Sequence, residues 1–165
     1  MLFDTYYGDM YKVSQRYLKV NEDVQDVLCE AFIRIFNRLE SFEYRGEGSL
    51  KRWIKTIVIN ESLRHIERNR QLIYGEEIED VDVPEYPETD EQLDMEVLNE
   101  IVQNLPDGYR IIFLMYVIEG FSHKEIANKL DISVSTSKSQ LFKARNLIIK
   151  DLRKIEAYEA HGNRE

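Results

Sequence analysis

The segment at 120–152 constrains the fold of this chain most, because it has the pattern of two helices joined by a tight turn. Ser122 followed by Glu125 is the sequence of a capping box, which predicts that a helix begins at Ser122. Residues 131–133 interrupt this helix, and Ser133 is a suitable N-cap for a second one. The second helix has an apolar face and, between positions 134 and 150, basic residues but no acidic ones. This arrangement is typical of a helix-turn-helix, whose second helix enters the major groove of DNA.

A solvated basic face on an ordinary amphipathic helix pair is the alternative interpretation of this segment. The distribution of charge favours DNA binding, although the formal net charge is −9. Residues 71–100 contain 12 Asp and Glu and no Lys or Arg, which leaves 22 basic and 19 acidic residues elsewhere. A second basic stretch, at 45–70, has seven Lys or Arg and three Glu. Nucleic-acid binding depends on such local patches more than on total charge.

The spacing of apolar residues is helical throughout and nowhere alternates as in a strand, which predicts an all-α fold. We expect Asn21 and Ser49 to be N-caps, and Pro106 to occupy the first position of a helix. Trp53 is assigned to the core because Ile54 and Ile57 share its helix face. The helices expected ahead of the helix-turn-helix lie at 3–18, 21–39, 49–70, 91–104 and 107–118.

The acidic stretch also predicts the domain organisation. Low hydrophobicity, high charge and two prolines, Pro84 and Pro87, are typical of a flexible connector. We therefore expect two small helical domains, at 1–70 and 91–165, joined by an acidic flexible linker at 71–90.

The sequence gives little support for a membrane protein, a disulfide-bonded protein, a metalloprotein or an enzyme. No run of about 18 apolar residues is present, and the first residues lack the layout of a signal peptide, so we expect no membrane insertion and a cytoplasmic protein. The one cysteine, Cys29, excludes an internal disulfide and is expected to be half-buried on its helix. The histidines lack ligand spacing, and no phosphate loop or nucleophile elbow is found. We expect no catalytic residues, metal or cofactor.

Several stretches then occur in a distinctive order. Residues 26–36 read DVLCEAFIRIF, and residues 48–60 read GSLKRWIKTIVIN. The stretch 105–110 reads LPDGYR, and the turn EGFS at 119–122 leads into the helix-turn-helix. In order and spacing these stretches resemble the second and fourth conserved regions of the extracytoplasmic-function (ECF) sigma factors, a group of the sigma-70 family. Cys29 stands where that family usually has Gln, and Asp131 where it often has Gly.

The resemblance implies three sets of site residues. The polar face of the second helix would dock on core RNA polymerase through Asp26, Glu30 and Arg34. The third helix and the loop before it would read the melted −10 strand, whose bases must be unstacked to be recognised; the residues implied are Lys51, Arg52, Lys55, Asn60, Arg64 and Arg68. The recognition helix would contact the −35 duplex through Ser135, Thr136, Lys138, Ser139, Gln140, Lys143 and Arg145.

The function implied is that of an alternative sigma factor, which binds core RNA polymerase and directs promoter-specific initiation of transcription. Its partners would be core polymerase, promoter DNA and an anti-sigma factor, and the acidic linker would follow the RNA exit path of the polymerase. Two alternatives stay open on the residues alone. One is a stand-alone helix-turn-helix regulator with an N-terminal dimerisation or sensing domain, and the other is a helical scaffold that binds protein through the linker.

Overall fold

The structure, a computed structural model, describes residues 1–69 and 95–162, with side chains omitted at 95 and at 156–162. All regular elements in these two ranges are helical, so the all-α prediction is confirmed. The chain divides into two compact units, Met1–Leu72 and Ile73–Glu165. The linker predicted at 71–90 lies outside the described residues, and so do positions 91–94 of the fourth expected helix.

The N-terminal unit is a bundle of three helices. Helix α1 covers Leu2–Tyr17, α2 covers Asn21–Arg38 and is followed by a 3₁₀ turn at Leu39–Ser41, and α3 covers Ser49–Arg68. These bounds lie within two residues of those expected, because each helix repeats apolar residues at the helical period. The side chains that are almost fully buried between the helices are Met10, Tyr17, Val24, Leu28, Ile35, Ile54 and Val58.

Two predicted N-caps of this unit are wrong. Helix α2 begins at Asn21, with Val20 as its N-cap, and the Asn21 Oδ1 accepts a hydrogen bond from the Tyr11 hydroxyl (3.4 Å). Helix α3 begins at Ser49, with Gly48 as its N-cap. Gly48 has a φ of 73°, a left-handed conformation that favours glycine. Ser49 is buried, and its hydroxyl accepts from the Arg45 amide (3.2 Å), which closes the preceding loop instead of capping the helix.

Four α-helices lie in the described part of the C-terminal unit. Helix α4 covers Met95–Asn104, and α5 covers Asp107–Phe113 and continues as a π-helical turn at Leu114–Ile118. Pro106 is the N-cap of α5, so its expected place at the first helical position is off by one residue. Helices α6 (His123–Leu130) and α7 (Val134–Gly162) follow. The core of this unit holds Ile101, Ile111, Ile112, Met115, Ile126, Leu141 and Ala144.

A transmembrane helix is not found in the described parts of the chain, where no helix is both long and apolar enough to cross a bilayer.

Candidate functional site

Helices α6 and α7 form the helix-turn-helix that the sequence predicts. The Ser122 hydroxyl accepts from the Glu125 amide (3.3 Å), and Glu125 Oε2 accepts from the Ser122 amide (2.8 Å), so the capping box is complete. Hydrogen bonds from the Ser122 hydroxyl and amide lower the pKa of Glu125 below its ordinary value. The first turn of α6 is therefore stabilised by reciprocal hydrogen bonds between Ser122 and Glu125.

The turn between the two helices also follows the prediction. Asp131 ends α6 in the left-handed conformation, with a φ of 51°, which a glycine would adopt with less strain. The Ser133 hydroxyl accepts from the Thr136 amide (2.9 Å), which confirms Ser133 as the N-cap of α7. These two caps fix the direction in which α7 leaves the turn.

None of the residues predicted to face the −35 duplex belongs to the buried face of α7, which holds Ser137, Leu141 and Ala144. Ser135, Lys138, Ser139 and Arg145 are exposed, whereas Thr136, Gln140 and Lys143 are half-buried. The amide oxygen of Gln140 is buried and has no hydrogen-bond partner among the described residues. The helix thus exposes two cations and several hydroxyl groups to solvent, whereas Gln140 is only partly exposed.

An aromatic cluster supports this side of the helix-turn-helix. The rings of Tyr116 and His123 stack with their centroids 4.5 Å apart, and His123 Nδ1 lies 2.9 Å from the Ser137 hydroxyl. The guanidinium of Arg145 lies 5.9 Å from the centre of the Tyr116 ring, as in a cation–π pair. Burial, together with the charges of Lys138 and Arg145, lowers the pKa of His123. Arg145 is therefore oriented from within the unit.

In the N-terminal unit, the predicted polymerase-binding residues differ from one another in their surroundings. Asp26 is exposed on α2. Glu30 lies 3.6 Å from the Arg68 guanidinium on α3, and Arg34 Nε lies 3.0 Å from Glu61 Oε1. Two members of this face thus link α2 to α3, which the periodicity of α2 alone does not indicate.

The predicted −10 residues on α3 are similarly engaged. Lys51 pairs with Asp9 of α1, and their hydrogen bond and mutual attraction raise the pKa of Lys51 and lower that of Asp9. Arg64 Nη1 lies 2.6 Å from Glu61 Oε1. Arg68 pairs with Glu30, as described above. The other three residues differ in exposure: Arg52 is exposed, and Lys55 and Asn60 are half-buried.

A pocket of about 410 Å³ opens between the loop after the 3₁₀ turn and the start of α3. Trp53, expected in the core, is instead half-buried at this pocket, with its ring centroid 5.2 Å from that of Phe42. Sequence reasoning missed the pocket, although the loop sequence SFEYRGEGS, in which two aromatics precede two glycines, is a signal for it. The lining residues are Ser41, Phe42, Glu43, Arg45, Ser49 and Trp53.

Exposed apolar side chains on α2 were also missed. Ile33 is 60% exposed and Phe36 is 50% exposed. Cys29 is exposed as well, where half-burial was expected. Together with Asp26 and Glu30 these residues form a surface on α2 that combines carboxylates with apolar groups; we call it the α2 outer face.

No group of three or more His, Cys, Asp or Glu in the described ranges is arranged to hold a metal ion.

Comparison with known proteins gives the same division of the chain. The family model for sigma-70 region 2 matches residues 2–72, and the model for sigma-70 region 4 matches residues 95–148. The ECF RNA polymerase sigma-E factor of Haemophilus influenzae is 27% identical over 162 residues, which cover 90% of this chain and 84% of that protein. The ECF RNA polymerase sigma factor SigW of Bacillus subtilis is 26% identical and covers 93% of this chain and 88% of its own.

A solved structure has the same fold. It is the sigma factor RpoE in complex with the anti-sigma factor NepR from Bartonella quintana, with a TM-score of 0.53 and 20% identity over 92% of this chain and 94% of that one. The two sigma-70 regions follow each other here in order on two helical units, and relatives that cover nearly the whole chain are ECF factors. The chain is therefore a member of the sigma-70 family, of its ECF group.

Proposed function

We propose that this protein is an alternative sigma factor, which binds core RNA polymerase and directs promoter-specific initiation of transcription. The observation that carries the proposal is the pair of sigma-70 regions, one on each helical unit, with a capped helix-turn-helix in the second. The protein acts as an initiation factor, without catalysis of its own, and it works in the cytoplasm, where polymerase and promoter DNA are found.

The α2 outer face docks on core polymerase. Apolar side chains at the centre of an interface contribute most of its energy, and charges around them steer the encounter. Ile33 and Phe36 supply the apolar part, and Asp26 and Glu30 supply the charge. Arg34 contributes at the edge of this face, next to α3.

The pocket before α3 receives an unstacked base of the −10 strand. A flipped base needs an aromatic surface and hydrogen-bonding groups within a pocket, and cations nearby to hold the phosphates. Phe42 and Trp53 provide the aromatic surface. Arg52 and Lys55 are placed on α3 to hold phosphates, and the amide of Asn60 can donate to and accept from a base.

Helix α7 reads the −35 duplex in the major groove. Lys138 and Arg145 contact phosphates, which position the helix without specifying sequence. Thr136, Ser139 and Gln140 contact base edges, which carry the sequence information. Ser135 and Lys143 extend this surface at its two ends.

An anti-sigma factor is the expected regulator. The sigma factor RpoE of similar fold is described in complex with such a protein, NepR. By analogy, an inhibitor of this chain would cover its polymerase- and DNA-binding surfaces until a signal releases it.

Binding to core polymerase tests the proposal. The protein is mixed with core RNA polymerase, and complex formation is measured by size-exclusion chromatography and fluorescence titration. Asp26→Lys with Glu30→Lys should weaken binding by about 2–5 kcal/mol, because like charges would then meet at the interface. The control is Glu22→Lys with Gln25→Lys, exposed changes nearer the start of the same helix, which alter the net charge by three units against four in the test variant. Equal binding by both double variants and the parent would show that the docking surface lies elsewhere.

A further inference from the structure

A buried carboxylate joins the two functional surfaces of the N-terminal unit. The side chain of Glu61 on α3 is 2% exposed. Its Oε1 accepts a hydrogen bond from Arg64 Nη1 at 2.6 Å and forms an ion pair with Arg34, whose Nε lies 3.0 Å away. Arg34 lies on α2 at the edge of the outer face, and Arg64 lies on the DNA-facing helix α3. One anion therefore binds two cations that belong to different surfaces.

The burial of Glu61 costs free energy, which suggests that its carboxylate has a specific role. Removing a carboxylate from water is costly, and an ion pair in the interior regains the cost only with good geometry. An apolar residue at position 61 would fill the core at no such cost. Both guanidinium groups stay partly in water, with Arg34 38% exposed and Arg64 50% exposed. Glu61 thus pairs in the interior with two arginines whose side chains stay partly exposed.

We propose that Glu61 is a positioning residue, which fixes Arg34 and Arg64 in a shared orientation and thereby couples polymerase binding to capture of the −10 strand. This inference rests on the proposed function and deepens it. When a polymerase group engages Arg34, the bond of Arg34 to Glu61 changes, and the hold of Glu61 on Arg64 changes with it. Linkage requires the converse as well, so that binding of a phosphate by Arg64 changes the affinity at Arg34.

Glu61 could position the two arginines or merely neutralise their charge. Substitution of Glu61 distinguishes these roles, because they predict opposite changes in the affinity for the −10 strand. If Glu61 only reduced the local positive charge, Glu61→Gln would strengthen the binding of the anionic strand. If it positions the arginines, Glu61→Gln weakens the interactions that order both side chains. Strand binding then weakens, because the arginines must become ordered when the complex forms. The matched control is Glu67→Gln, which removes the same charge from an exposed position of the same helix.

The experiment uses the full chain bound to core polymerase, with a fluorescent single strand that carries a −10 element as the probe. We expect Glu61→Gln to weaken strand binding about fivefold or more, and Glu67→Gln to leave it unchanged or to strengthen it. Arg34→Ala should also weaken strand binding, although Arg34 lies on the other helix. Its effect and that of Arg64→Ala should be non-additive in the double variant.

Positioning also has a readout that does not depend on polymerase. In the free protein, the Arg64 guanidinium protons should exchange slowly with water, as seen in nuclear magnetic resonance spectra, because Glu61 accepts from Arg64 Nη1. Glu61→Gln should reduce this protection while the helical signal is kept. Stronger strand binding by Glu61→Gln, or additive effects of the two arginine substitutions, would overturn the inference. The parent chain tests the proposed function separately: if it fails to bind polymerase or the strand, that function fails, whereas the exchange result still reports on Glu61.

Discussion

At the scale of single residues, carboxylates hold this protein's functional side chains in place. Glu125 completes the capping box at the start of α6, and Glu61 binds two arginines between α2 and α3. Asp107 accepts from the buried guanidinium of Arg110 at 2.7 Å, where burial lowers the pKa of the arginine. Each of these carboxylates bonds to a specific partner, so that substitution of the partner also changes the position of the carboxylate.

The Ser122 cap contributes to the stability of the C-terminal unit. Ser122→Ala should lower its free energy of unfolding by about 1 kcal/mol, because the first turn of α6 loses a hydrogen-bond acceptor. Denaturation in urea measures the change, with Ser135→Ala as an exposed control on the neighbouring helix. A loss no greater than that of the control would show that the capping box contributes little.

His123 should make this unit sensitive to acid. Its pKa in the folded protein is lowered from 6.5, so the unfolded state binds the proton more tightly. The stability that neutral His123 contributes is complete above its unfolded pKa and is lost as pH falls through the folded value. We expect the free energy of unfolding to decrease as the pH falls below 6.5, and less so in His123→Gln. A titration midpoint for His123 at or above 6.5, measured by nuclear magnetic resonance, would contradict this.

At the scale of elements, helices follow from the sequence better than their ends and their contacts do. Helix α2 has apolar residues over four turns, and its bounds match the prediction to one residue. The cap at Ser49 failed because the neighbouring Gly48 adopts a left-handed conformation, which leaves the serine hydroxyl to the Arg45 amide. The bond between Arg34 and Glu61 was not foreseen, because it joins residues far apart in sequence and depends on how α2 packs on α3.

In the candidate site, too, local motifs follow from the sequence, whereas contacts between distant residues do not. The helix-turn-helix is a local motif, and its caps at Ser122 and Ser133 were predicted from spacing alone. The pocket at Trp53 depends on a loop conformation and on packing against Phe42. The spacing of apolar residues in the sequence predicts neither of these.

The recognition helix should use two kinds of contact. Lys138→Ala should weaken binding to all −35 sequences alike and reduce the salt dependence by about one unit, because one phosphate contact is lost. Gln140→Ala should instead relax preference at one base pair by about 1–3 kcal/mol. Binding of the holoenzyme to a set of −35 variants at several salt concentrations measures both. Uniform losses for Gln140→Ala would show that the partly buried glutamine reads no base.

The pocket before α3 gives a second prediction at this scale. Trp53→Ala should weaken capture of the −10 strand by about 1–3 kcal/mol, the contribution of stacking one base on an aromatic ring. Duplex binding through α7 should be unaffected, which provides an internal control. If strand capture by Trp53→Ala equals that of the parent, the ring has a packing role only.

At the scale of the whole molecule, the proposed function requires both units to act in one promoter complex. In that proposal the N-terminal unit would provide polymerase docking and the −10 pocket, and the C-terminal unit the helix that reads the −35 element. A stand-alone helix-turn-helix regulator would need DNA contacts in the second unit only. Contacts in both halves therefore distinguish the two functions.

The most direct test of the central claim is transcription by core polymerase with and without the purified protein, on fragmented DNA of the organism that encodes it. The 5′ ends of the transcripts are then mapped. We predict that the protein adds a discrete set of start sites that share one −35 and one −10 element, and that Trp53→Ala and Lys138→Ala reduce them. No new start sites, although the protein is folded and the polymerase is active with another sigma factor, would contradict the account.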